Sequence, residues 1–547
     1  MTGQAGIHPR EYDVVVVGAG FSGICAVNRF RDLGLSVRAL EAADAVGGTW
    51  RWNRYPGARC DIESIEYSYS FSEDIQQEWV WTETLPCQPE IEAYLNFVVD
   101  RLDLRKLIQA STEVVSMVFD EDNDRWLLTT ATGETFRAPY VVAATGILSA
   151  PLDPDIPGKE RYGGVSLSTA RYPDDGFDYA GKRVGVIGTG STGVQAVPVI
   201  AVAAAHLWVF QRSAAYTLPS NARPFVPGEL DALKADYAAI RAAQRAAHVG
   251  AARISAFSVM VEVYSRPALL TATPEERQAA VEERGVAGAL YWSDVFTDMD
   301  ANAIARELYC EAIARIVHDP ATAAALVPTY PFGCKRPIID LGYYEAFNRD
   351  NVSLVDLRAS PIVEITESGI RTEAGEVDLD VIVFATGFDA VTGALSAIEV
   401  RGCGGLVLGD VWRDAGAESY LGLQVAGFPN LFLVQGPGSP SLASNFVTVL
   451  EDSIDWIATC LADLRAGGYS RIEALPAAQA EWTALTTSLV EGSVLLDPSC
   501  NSWWNGGNVP GKKRRYLSYV GGVPEYRKHC IAVAEDGYRG FALSTPG

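Results

Sequence analysis

The sequence predicts an α/β protein with two Rossmann-like dinucleotide-binding domains, the second inserted in the first and carrying a helical insertion. Three observations point there. Two G-x-G-x-x-G turns, at residues 18–23 and 188–193, each stand between an apolar strand and an apolar helix. Two other apolar strands end in the same Ala-Thr-Gly, at 144–146 and 385–387, as crossovers between a host domain and a nested one would. Prolines 151, 154 and 157 mark a linker at the first crossover. The expected division is 1–149 and 385–547 for the host and 150–384 for the nested domain, with helices over about 224–328.

The first finger runs from Tyr12 to Glu41. Four valines, Val14 to Val17, suit a strand buried on both faces. Gly18 permits the tight turn, Gly20 lets backbone approach a pyrophosphate, and Gly23 lets helix and strand pack closely. Phe21 and Ser22 open the helix, whose free N–H groups suit phosphate. Ile24, Val27 and Phe30 share a face, and Gly34 ends the helix. The next strand, Ser36 to Leu40, ends in Glu41, roughly 20 residues past the glycines, where an acid binds a ribose 2′-hydroxyl.

A Gly- and aromatic-rich loop follows, from Gly47 to Asp61, including Gly48, Thr49, Trp50 and Trp52. A loop of this kind beside a dinucleotide site covers the cofactor; the alternative is a packed aromatic loop. Asp61 is either a turn residue or the partner of a buried cation. Ile91 to Leu104 has helical spacing, and Val114 to Phe119 and Trp126 to Thr130 read as strands joined by a polar turn.

The second finger has its strand at Val184 to Ile187, then Gly188, Thr189, Gly190, Ser191, Thr192 and Gly193, and an apolar helix that includes Gln195. Its next strand ends in Gln211-Arg212-Ser213 rather than in an acid. An acid favours a free 2′-hydroxyl, whereas arginine and a hydroxyl favour a 2′-phosphate. The first finger therefore reads as an FAD site and the second as an NADPH site. Residues 224–325 are alanine-rich with helical periodicity. Tyr330 to Arg349 is a Gly/Pro loop with adjacent cations, Lys335 and Arg336, near the return to the first domain. Loops at 436–445 and 501–513 belong to the C-terminal part.

Composition excludes several classes. A net charge of −24 over 547 residues argues against nonspecific binding to nucleic acid or anionic membrane. The nine cysteines form no C-x-x-C, so a dithiol redox centre is not expected, and the five histidines do not cluster into a metal site. No apolar run approaches a membrane span. A cytoplasmic, thiol-reduced protein is expected; oligomeric state is left open, with a monomer compatible.

These features resemble the Baeyer–Villiger monooxygenases, flavoproteins that insert oxygen beside a ketone carbonyl. The resemblance runs from Tyr12 to Phe541. It rests on the G-G-T-W-x-x-x-x-Y-P-G-x-x-x-D loop (Gly47 to Asp61), the paired fingers, the A-T-G-F-D run (Ala385 to Asp389), the K-R-P segment with its G-Y-Y, and the S-W…N-x-P-G-K loop. The loop Gly436 to Asn445 looks most like the phenylacetone and steroid type. One motif departs: in the linker F-x-G-x-x-x-H-x-x-x-W-P/D, Ser168 stands for the histidine and Tyr172 for the tryptophan. That histidine is thought to couple the two domains, so altered coupling is expected rather than a different reaction.

The resemblance implies that NADPH reduces FAD, that the flavin takes O2 to form a C4a-peroxide, and that this attacks the ketone to give ester or lactone while NADP+ stays bound. It implies catalytic roles for Arg336 and, as its partner, Asp61. Lys335 would reach the 2′-phosphate beside Arg212 and Ser213. Trp503, on a mobile loop, would bond the nicotinamide ribose. Tyr67, Ala385, Thr386 and Gly387 would join the cofactor sites. Ile147, Leu148, Ser441, Leu442 and Phe446 would line a pocket for hydrophobic aryl, cyclic or steroid-like ketones. The alternatives are a flavin monooxygenase oxygenating nitrogen or sulfur, for which Arg336 is the discriminating residue, and a non-oxygenating FAD/NADP redox sensor.

Overall fold

In the computed structural model, residues 9–220, 222–253, 266–442 and 444–546 are described. The first eight residues of the expected host domain, residues 254–265 of the expected insertion, and residues 221, 443 and 547 lie outside them.

Val14–Val17 is the centre of a five-stranded parallel sheet, flanked by Tyr140–Ala143 and Leu431–Leu433 on one side and by Val37–Leu40 and Ile108–Gln109 on the other. All four valines are buried, as a strand covered on both faces requires. The helix Phe21–Asp32 buries Ile24, Val27 and Phe30 against this sheet and the long helix Phe446–Gly467. Beside it, Val114–Asp120, Arg125–Thr130 and Thr135–Ala138 form an antiparallel meander, extended by Glu399–Arg401.

The second sheet is parallel too, in the order Val352–Asp356, His206–Gln211, Arg183–Ile187, Val381–Phe384, Val165–Ser168. The chain thus changes sheet after each Ala-Thr-Gly, entering the second domain after Ala143 and leaving it after Phe384. The crossovers are tied together: Thr386 donates its hydroxyl to the Leu152 carbonyl at 2.8 Å, and the Leu152 N–H bonds the Gly387 carbonyl at 2.9 Å.

Two expectations shift. The helix expected at 91–104 runs Gln88–Arg101, because Pro89 suits a first helical turn and Asp103, at φ 53°, cannot continue it. The helices of the 224–328 region divide between two cores. Glu229–Ala235 and Tyr237–Ala246 pack Leu230, Tyr237 and Ile240 into the first domain's core. There Arg241 donates to Ser68 Oγ at 2.8 Å, and Gln244 donates to the Glu66 carbonyl at 3.0 Å. Pro274–Arg284 and Met299–Ile316 bury their apolar faces with the second domain.

The cysteines bring a correction. Reduced thiols are expected from the sequence, yet Cys334 and Cys500, 166 residues apart, are joined as a disulfide with Cα atoms 5.9 Å apart. The pairing is tertiary, so no short motif announces it. The other seven cysteines are free.

Both fingers are closed by the same contact. A Cβ on Gly23 would lie 2.0 Å from the Gly18 carbonyl oxygen, and one on Gly193 would lie 2.1 Å from that of Gly188. The neighbour is backbone and cannot turn aside. Gly23→Ala is therefore expected to cost about 1–3 kcal/mol of stability by overpacking. Urea unfolding will check this; a loss under a few tenths would show that the turn can yield.

Candidate active site

A cavity of about 640 Å³ opens where the two domains meet. One end is walled by Gly18, Gly20, Phe21, Ser22 and Glu41, and the adjoining stretch by Gly48, Thr49, Trp50, Asp61 and Tyr67. Ile147, Leu148, Ser441, Leu442 and Phe446 supply an apolar wall. Ser191, Thr192, Gln195 and Arg336 face it from the second domain, and Trp503 from the late loop. Residues more than 400 positions apart in the chain thus converge on one space.

The first end fits FAD. The helix Phe21–Asp32 starts at Gly20 with no side-chain cap, so its first N–H groups remain available beside the groove. A Cβ on Gly20 would press on the Gly48 Cα at 3.2 Å, so finger and covering loop meet without side chains between them. Glu41 is 5% exposed; its carboxylate accepts from the N–H groups of Ala19 at 2.6 Å and Ala43 at 2.8 Å. Burial pushes its pKa up while these backbone donors pull it back. Trp50 donates to the Tyr67 hydroxyl at 3.1 Å, fixing the loop's aromatic floor.

The second finger fits a phosphorylated dinucleotide. Its helix Ser191–Ala203 is also uncapped, and a Cβ on Gly190 would meet nothing within 4 Å. Thr189 donates to the Ser213 carbonyl at 2.8 Å, drawing the end of the neighbouring strand to the turn. Lys335 packs its ammonium 4.2 Å from the centre of the Tyr330 ring. Burial first, and then the charge of Arg212, push its pKa down to about 8. Two cations kept this close suit an anion between them.

Arg336 is held from the other domain. Its Nε donates to Asp61 Oδ2 at 2.8 Å and one terminal nitrogen donates to Oδ1 at 2.7 Å; the other reaches the Leu442 carbonyl at 3.4 Å. The fork aligns the guanidinium plane with the carboxylate and sets it against the pocket loop. Burial keeps the nearby groups neutral: the Cys60 thiol and the Tyr67 phenol both have pKa values well above their ordinary range.

Of the expected site residues, Gly23, Gly188, Gly190, Gly193, Thr189, Arg212, Ser213 and Lys335 lie beside or beneath the second finger or the turns, outside the cavity wall. Ala385, Thr386 and Gly387 serve the crossover, and from that run only Phe388 reaches the cavity. Sequence reasoning missed Thr112 to Val115, which wall the Glu41 end and carry no signature. It also missed a bridge between the domains. The Tyr55 hydroxyl donates to Gln195 Oε1 at 2.8 Å, and Gln195 Nε2 donates to the Arg59 carbonyl at 3.1 Å. Tyr55 stands in the Y-P-G of the covering loop, which was the available signal.

Two nucleotide fingers facing one cavity define a flavoprotein oxidoreductase of the two-dinucleotide class, and a family profile described as pyridine nucleotide-disulphide oxidoreductase matches residues 15–253. Comparison narrows this. The chain is 41% identical to an acetone monooxygenase (methyl acetate-forming) from Gordonia sp. (strain TY-5), over 97% of this chain and 99% of that one. It is 40% identical to a phenazine N-monooxygenase from Lysobacter antibioticus, over 97% of each. The solved structure of an oxidized steroid monooxygenase bound to NADP matches with a TM-score of 0.89 at 46% identity, covering 98% of this chain and 100% of that one. The chain belongs to the Baeyer–Villiger monooxygenase family. Neither Cys334 nor Cys500 lines the cavity.

The depressed Lys335 has a measurable consequence. Its ordinary pKa is higher, so with a value of about 8 it loses its proton as pH rises through 8. A bound 2′-phosphate favours the ammonium and raises that value. NADPH affinity is therefore expected to fall above pH 8, by at most about tenfold per pH unit for one proton. Calorimetry in buffers of different ionisation heat should show proton uptake on binding near pH 8, and Lys335→Met should flatten the profile. A flat profile in the unaltered enzyme would remove Lys335 from the phosphate site.

Proposed function

We propose that the chain uses NADPH and O2 to insert oxygen beside the carbonyl of hydrophobic ketones, releasing an ester or lactone. The observation that carries this reading is Arg336, locked by Asp61 at the meeting of both nucleotide sites and turned toward an apolar wall. Reduction of FAD by NADPH and activation of O2 are the chemistry the cofactors supply when bound. The chain does the rest. Arg336, a guanidinium cation, stabilises negative charge that develops on oxygen in the cavity. Asp61 orients it. Ile147, Leu148, Leu442 and Phe446 exclude water, which strengthens that interaction and shields the activated oxygen. Cys60 and Tyr67, held neutral, offer no competing base.

In this reading Glu41 takes the FAD ribose and the first finger its pyrophosphate. Gly188 to Gly193 take the NADP pyrophosphate, Arg212, Ser213 and Lys335 its 2′-phosphate, and Trp503 the nicotinamide ribose. The first domain comprises 1–149 and 385–547 and the second 150–384, as the exchange of strands between sheets supports, apart from the helices Glu229–Ala235 and Tyr237–Ala246, which pack into the first domain's core. Oxygenation of nitrogen is the second reading, favoured by the likeness to a phenazine N-monooxygenase.

The test measures NADPH oxidation against product and hydrogen peroxide, over cyclic, aryl and steroid ketones with phenazines and sulfides alongside. Ester or lactone in step with NADPH is expected. Peroxide alone from every ketone, with N-oxide from the phenazines, would install the second reading. Arg336→Ala is expected to lower ester formation at least about a hundredfold, the scale of one lost oxyanion partner, while NADPH oxidation is diverted to hydrogen peroxide. Intact ester yield per NADPH in that variant would rule out the role given to Arg336.

A further inference from the structure

The linker that follows the edge strand Val165–Ser168 passes beside the Glu41 end of the cavity, and its Arg171 lines that cavity. The guanidinium carbon lies 4.0 Å from the centre of the Trp52 ring, and one N–H donates to the Ala170 carbonyl at 2.8 Å. Glu113 and Glu41 act on it electrostatically and support its charge, against burial, which opposes it more strongly. Yet among the described residues Arg171 forms no ion pair.

The neighbouring arginines are differently placed. Arg51 grips Asp44 and Asp174, Arg54 is bonded to Glu92, and Arg59 to Glu83. Arg336, at the far side, is bonded to Asp61. The groove wall itself is acidic at this end, with Glu41 and Glu113. A pyrophosphate brings two more negative charges there, and helix N–H groups alone would have to balance all of them. A planar cation laid on an aromatic ring and presented to the groove is suited to a phosphate oxygen and to the face of a purine.

We infer that Arg171 is a cofactor-binding residue that takes the adenosine-diphosphate half of FAD, its guanidinium clamped between Trp52 and the bound nucleotide. This rests on the FAD reading of the first finger. It gives the linker a function the altered motif does not supply. Thr169 bonds the Phe384 carbonyl of the second sheet at 3.1 Å, and Tyr172 bonds the Trp52 carbonyl of the covering loop at 3.4 Å. A nucleotide held by Arg171 would therefore fix the segment that joins the two domains.

The test compares FAD with riboflavin, which has neither phosphate nor adenosine. Flavin fluorescence titrations of apoprotein prepared from the holoenzyme give both dissociation constants. Arg171→Ala is expected to weaken FAD about tenfold or more, the scale of a charge-assisted hydrogen bond, and to leave riboflavin unchanged. Arg171→Gln keeps the stem against Trp52 without the charge; it carries the same expectation and guards against a folding defect, checked by the thermal unfolding of each apoprotein. Unchanged FAD affinity, or equal weakening of FAD and riboflavin, would overturn the inference. An unaltered protein that carries no flavin and binds none would bring down the FAD reading itself, and this assignment with it.

Discussion

The arrangement depends on one ion pair between domains, Arg336 with Asp61. Its two bonds, at 2.7 and 2.8 Å, connect a loop of the second domain to the loop that covers the first finger. The side chains are 18% and 23% exposed, so the pair is neither buried nor free in water. A pair of this kind adds little to stability on its own. Its value is directional: a bidentate fork fixes the plane of the cation as well as its position. That direction is only as good as the loops that carry it. The Asp61 loop is pinned by Cys60 N–H to the Pro86 carbonyl at 3.0 Å and by Gln88 N–H to the Ala58 carbonyl at 2.9 Å. The Arg336 loop is pinned by Ile338 N–H to the Tyr216 carbonyl at 3.0 Å, at the start of a two-stranded parallel ladder.

A chain with a net charge of −24 must make its anion sites locally. It does so in two ways. Most arginines at the domain junction are spent on carboxylates, where they organise loops: Arg51 joins the covering loop to Asp174 of the linker. Lys335 is instead partly desolvated and placed beside a like charge, Arg212, which together lower its pKa. The same logic separates Arg336, oriented by a partner, from Lys335, primed by the lack of solvent. In the proposed function the first serves charge that appears during reaction, and the second the phosphate charge present from the start.

Much of this was legible in the sequence. The two fingers announce themselves because their chemistry is local: strand, three glycines and helix occupy one continuous stretch, and the contact between third glycine and first carbonyl is the same in both. The Arg336–Asp61 pair was legible only through resemblance, since 275 residues separate its members. Helix limits slipped where Pro89 and Asp103 outweighed apolar spacing. The division of the 224–328 helices between two cores had no signature, because amphipathic spacing tells that a face is buried and not against what. The wall at Thr112 to Val115 was hidden for a related reason: it contributes position rather than distinctive side chains.

The departures at Ser168 and Tyr172 can be judged from what surrounds them. Ser168 ends an edge strand in register with Phe384, a place fixed by backbone pairing rather than by its side chain. Tyr172 is 7% exposed, and its hydroxyl meets that of Tyr179 at 2.8 Å inside the second domain's core. The linker therefore stays anchored at both ends with these residues in place. The disulfide adds a second anchor on the opposite side. Cys334 lies two residues before Arg336, and Cys500 three before Trp503. Joining them ties the Arg336 loop to the loop that carries Trp503. In the proposed function, reaction type rests on Arg336 and its carboxylate, while the linker and this tether hold the loops around them.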